Sequence, residues 1–105
     1  MATFADLKFK PHEASPNGVQ ALLRIGKFEL SVVDLKGNGP KYEVAVFVRN
    51  EFVQLPGIHP NYGKEGSDDV IHYQTADDIT EIIQKIHQIN LDFVEIFGQA
   101  EMDFR

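Results

Sequence analysis

The sequence predicts an α+β fold: an antiparallel sheet of four to five strands in β-meander order, packed on one face by a C-terminal amphipathic helix. Three features carry that expectation. Apolar residues recur at every second position between residues 19 and 48, a glycine-rich break at residues 36–41 divides that stretch, and isoleucines recur every three or four residues from Ile79. A half-apolar sheet needs a cover, and a helix with one apolar stripe supplies it.

Leu7 and Phe9 alternate with Lys8 and Lys10, as in a short strand or extended arm ahead of Pro11. Residues 11–18, with two prolines and Asn17-Gly18, read as a loop. Val19, Ala21, Leu23 and Ile25 then share one face, opposite Gln20, Leu22 and Arg24. Phe28, Leu30 and Val32 continue the alternation against Glu29, Ser31 and Val33. Two strands, or one strand bent at Gly26, both fit. Beyond the break at 36–41, Tyr42, Val44, Val46 and Val48 alternate with Glu43, Ala45, Phe47 and Arg49, the clearest hairpin signal in the chain. Residues 49–51 suggest a tight turn and residues 52–55 a short returning strand.

Residues 56–69 hold two prolines and three glycines and read as a long loop, a kind that is often functional or mobile. Residues 70–74 are expected to form a last short strand. Thr75 stands at an N-cap position with Asp78 three residues later, so a helix should begin at Ala76. Ile79, Ile82, Ile86 and Ile89 form its stripe, Ile83 broadens it, and Phe93 and Ile96 extend the rhythm. A break is expected near Asn90, leaving room for a second short helix. The whole makes one domain: an arm and loop (1–18), the sheet (19–74) and a helical segment (75–105).

Composition bounds the chemistry. Apolar residues are 43% and charged residues 25% of the 105, the balance of a folded domain and not of a disordered chain. The absence of cysteine removes disulfides, thiolate metal sites and cysteine nucleophiles, and fits a reducing, cytoplasmic compartment. No cationic segment followed by an apolar run opens the chain, and no stretch reaches the ~20 apolar residues of a membrane span, so neither signal peptide nor membrane partner is expected. The net charge is −6. Residues 1–66 carry eight Lys and Arg against seven Asp and Glu, whereas residues 67–105 carry two against nine. An acidic C-terminal third argues against nucleic-acid binding, which relies on Lys and Arg replacing phosphate counterions.

In residues 28–33 (FELSVV), 42–47 (YEVAVF) and 68–79 (DDVIHYQTADDI), the chain resembles a group of small uncharacterised bacteriophage proteins. These carry an SVV-like strand, a strand like YELAVL and a DDV segment leading to an acidic helix start. The resemblance spans about residues 20–89. It departs at residues 36–41, which lack the tyrosines of that group, and at 51–67, which are longer. It implies a phage origin and, with it, the host-cell cytoplasm; it implies no activity, cofactor or catalytic residue.

Candidate chemistry is sparse. Of His12, His59, His72 and His87, no two stand at the i,i+4 spacing that places two ligands on one helix face, although Asp68, Asp69 and His72 are near enough to converge. The segment from Asn61 has a glycine at the sixth position of a calcium loop but glycine at the third and His72 at the twelfth, where a bidentate glutamate belongs. Asp77, Asp78 and Glu81 fit helix capping better than acid–base catalysis, which needs a raised pKa in a pocket. No nucleophile elbow or phosphate-binding glycine loop occurs.

The expectation is therefore a non-catalytic protein-interaction domain without a cofactor. Its partner, or a second copy of itself, would meet an acidic and apolar C-terminal surface formed by Asp92, Phe93, Glu95, Phe97, Glu101, Asp103 and Phe104. The alternatives are a self-associating structural or assembly component, and a small enzyme or metal-dependent site around residues 56–72 with His59, Asp68, Asp69 and His72.

Overall fold

The isoleucine stripe organises the tertiary structure. In a computed structural model that describes residues 2–37 and 39–97, with only the backbone of residue 97, the chain runs from a 3₁₀ turn at Phe4–Asp6 into strands β1 (Lys10–Pro11), β2 (Val19–Ile25), β3 (Phe28–Asp34), β4 (Tyr42–Val48), β5 (Glu51–Val53) and β6 (Ile71–Gln74), and ends in helix α1 (Ala76–Phe97). Every strand pairing is antiparallel. β1 to β5 lie in sequence order, and β6 returns to pair with β4 beside β5, so β4 is the hub. The fold is the α+β arrangement expected, with one departure from a pure meander. β5 takes the outer edge of β4 at Val46–Val48 and β6 takes it at Tyr42–Val44.

Turn chemistry sets the register. Between β2 and β3 the two-residue loop Gly26-Lys27 places φ of +59° at Gly26, the first position of a II′ turn, and Ile25 pairs with Phe28. Only glycine suits this point, because a Cβ there would also run into the side-chain amide of Asn90 from α1. The chain thus makes two strands at Gly26, not one bent strand. Arg49 and Asn50 both have positive φ (52° and 67°), the I′ pattern that joins β4 to β5 with Val48 opposite Glu51.

With these registers, Ala21, Ile25, Phe28, Leu30, Val32, Val44, Val46 and Ile71 form one buried sheet face, and Ile79, Ile82, Ile83 and Ile86 of α1 close over it. The N-terminal arm seals the end of this core. Phe4 and Phe9 pack on Tyr42, with ring centroids 5.2 and 5.6 Å away, and Phe4 N–H donates to Thr80 Oγ1 at 3.0 Å. α1 begins as expected: Asp78 N–H donates to Thr75 Oγ1 (3.1 Å) and Thr75 N–H to Asp78 Oδ2 (2.9 Å), a reciprocal capping pair.

The expected break near Asn90 does not occur. α1 is one helix of 22 residues through Phe97. Asn90 faces the sheet, its side chain against Gly26, where it lengthens the packed stripe and does not stop the helix. At 1.5 Å per residue α1 is about 33 Å long against roughly 23 Å for a seven-residue strand, so its last turns overhang the sheet.

Candidate functional site

Alternation that buries one face of β2, β3 and β4 turns the other outward, and among the described residues no element packs over it. That open face is mixed: Arg24 and Glu29 stand on it in register, beside an apolar stretch. Leu22, Val33, Ala45 and Phe47 stand on it with Gln20, Ser31 and Glu43, and Phe52 of β5 lies opposite Phe47 in register. Their rings stack at 4.5 Å between centroids, and Phe52 remains 51% exposed. Ser31 and Ala45 pair across β3 and β4, and being small they leave a depression between larger neighbours. The result is a trough of about 370 Å³, within the size range of small ligand sites. Phe47 and Phe52 line one end, Glu43 and His72 the other, and His12 contributes from the loop after β1.

The polar end is built by a bulge. Ile71 pairs with Val44 and Gln74 with Tyr42, so β6 spends one more residue than β4 over the same span. Tyr73 absorbs the excess with φ of 60°, and its ring is 75% exposed. His72 is thereby held between two carboxylates. Its Nε2–H donates to Asp68 Oδ2 and its Nδ1 lies against Glu43 Oε2, both at 2.7 Å. Glu43 Oε2 is buried and takes no well-aligned hydrogen bond, so the Glu43 contact is a close ion pair more than a directed bond. The hydrogen bond to Asp68, aided by the charges of Glu43 and Asp68, raises the pKa of His72 above its ordinary 6.5. The same bond, with Val70 N–H donating to Oδ1, lowers that of Asp68 below 3.8. Both nitrogens of His72 thus lie against carboxylates.

The residues proposed for a second centre around 56–72 separate into two groups. His59 is 3% exposed, accepts Leu55 N–H at Nδ1 (2.9 Å) and donates from Nε2 to the Asp69 carbonyl (3.2 Å). Asp69 Oδ1 accepts from Gln54 Nε2 (3.0 Å), and Ser67 Oγ donates to Gln54 Oε1 (2.8 Å). His59, Asp69, Gln54 and Ser67 thus staple the long loop to itself, while Asp68 and His72 belong to the trough. Among the described residues no group of three or more His, Asp or Glu is disposed to hold a metal ion.

At the C-terminal end, Asp92 and Glu95 are exposed, and Phe93 is half-buried under Lys27, whose Nζ lies 3.7 Å from the ring centroid. Leu91 and Ile96 are exposed. Phe97 is the last described residue of α1; Glu101, Asp103 and Phe104 lie outside the described residues. The open-face residues were missed as a site because alternation alone does not show whether a second layer covers that face. The available signal was Leu22, Val33, Ala45 and Phe47 at positions where a solvated face carries polar residues.

The site and fold together define a class: an open-faced α+β sandwich with an amphipathic trough on its uncovered sheet. Compared with family models, curated proteins and solved structures, the chain has no significant match in any of the three.

Proposed function

We propose that this protein is a non-catalytic protein-interaction domain that holds its partner on the open face of the sheet. The observation that carries this reading is the uncovered apolar trough between Phe52 and Glu43. Apolar surface that is contiguous, exposed and rimmed by polar groups is a feature of interaction sites. Beside it, both nitrogens of His72 lie against carboxylates, those of Asp68 and Glu43. A phage-encoded protein acting in the host cytoplasm belongs to the same proposal. Its support is the resemblance over residues 20–89 and the lack of cysteine.

The overhanging end of α1 gives a second reading, in which Leu91 and Ile96, flanked by Asp92 and Glu95, form the acidic and apolar contact surface. Phe93 contributes less than its sequence position suggests, because Lys27 already covers it. Partner capture with wild type, Phe52→Asp and Ile96→Asp, beside light scattering on each, separates the readings. Loss with Phe52→Asp alone assigns the interaction to the trough, and loss with Ile96→Asp alone moves it to the helix end. A wild-type oligomer dissolved by Phe52→Asp identifies a self-associating assembly component.

A further inference from the structure

We infer that the segment held in the trough is an extended stretch of a partner protein that presents an aromatic residue, a small residue two positions on, and a lysine or arginine four positions on. The inference rests on the reading that the open face is the interaction surface, and it adds what that surface recognises.

The spacing comes from β4. Phe47, Ala45 and Glu43 follow one another at every second position on the open face, so the aromatic and acidic ends of the trough are about 13 Å apart at ~3.3 Å per residue. An extended segment laid along β4 repeats its side chains at the same interval and on the same side, so residues i, i+2 and i+4 meet the three stations in turn. Phe47 and Phe52 offer stacked rings for an aromatic side chain. Ala45 and Ser31 form the floor between, and a small side chain there lets the segment lie close to it.

The charge comes from the other end. Glu43 and Asp68 are two carboxylates against one imidazole, which carries at most one positive charge, and among the described residues no lysine or arginine lines the trough. Glu43 Oε2 is buried against His72 without an aligned hydrogen bond, so the negative charge of Glu43 is only partly met there. A cation beside an apolar floor completes this arrangement, whereas a carboxylate there faces like charge. The same argument disfavours a second copy of the chain as occupant, since each copy carries −6.

The test is an NMR titration of the full chain with three capped pentapeptides: Ac-Phe-Thr-Ala-Thr-Lys-NH₂, the same peptide ending in Glu, and the same peptide beginning with Ala. The lysine peptide should shift resonances of Phe47, Phe52 and His72. The glutamate peptide should bind about 1.5-fold to fivefold more weakly, the range of an exposed charge pair. Glu43→Gln should erase that difference, and Phe52→Ala should weaken both phenylalanine peptides. Equal binding of the Lys and Glu peptides, shifts confined to another surface, no saturable shift, or self-association through the open face would each overturn the inference. Should Glu43→Gln lose its fold, the Lys and Glu comparison on the unaltered protein decides. Loss of partner capture by Phe52→Asp with no peptide preference would sink the recognition rule while leaving the interaction surface in place.

Discussion

Gly26 shows how one residue can serve two elements. Its positive φ makes the β2–β3 turn, and its missing Cβ admits Asn90 from α1. Gly26→Ala should therefore cost about 2 kcal/mol or more, since strain and a steric clash act together, and chemical denaturation would measure it. His72 carries the pH dependence. Its pKa is raised on folding, so its contribution to stability is complete below about 6.5 and is lost as pH rises through the raised value. Asp68 runs the other way: its lowered pKa gives a contribution present above 3.8 and lost as pH falls through the lowered value. The clamp should thus be strongest between those limits. Asp68→Asn should move the NMR-monitored pKa of His72 downward, because the hydrogen bond to Asp68 is the main cause of its rise; an unchanged value would contradict this.

At the scale of elements, the β6 bulge and the start of α1 make opposite predictions. Tyr73 sits in the left-handed region, which an L-residue occupies at a cost of about 1–2 kcal/mol and which glycine occupies freely. Because its ring is mostly exposed, little packing is lost on removing it. Tyr73→Gly should raise stability by about 1 kcal/mol, read from thermal or urea unfolding. Thr75 caps α1 through Asp78 N–H, and Thr75→Ala should lower stability by about 1 kcal/mol while leaving the folded spectrum intact. The Asp78 carboxyl, held below its ordinary 3.8 chiefly by the Thr75 backbone N–H, completes the same cap.

For the whole molecule, the two faces of the sheet should answer differently to the same operation. Ile83 is fully buried between helix and sheet, and Ile83→Ala should cost about 2–5 kcal/mol through lost burial and the cavity left behind. Phe52→Ala removes a larger side chain from the open face and should cost no more than about 1–1.5 kcal/mol, mainly its stacking on Phe47. Differential scanning calorimetry on the pair would show which face supports the fold. Equal losses would mean that the open face is core, and that the proposed interaction surface is wrong.

The sequence by itself determined the local structure. Period-two alternation in β2, β3 and β4, a tight turn near residues 49–51, the Thr75 cap and the Ile79–Ile86 stripe all depend on neighbours within a few residues, where backbone sterics and side-chain periodicity decide the outcome. Tertiary structure decided the rest. Asn90 looked like a helix cap, but its side chain lies against Gly26 and α1 continues to Phe97. β6 beside β5 on the edge of β4, the bulge that turns His72 toward Glu43, and the division of Asp68 from Asp69 arise from contacts across long stretches of chain. The trough follows from the same cause: β5 and β6 bring Phe52 and His72 to a face whose alternation was legible, but whose lack of a cover depends on where every other element packs.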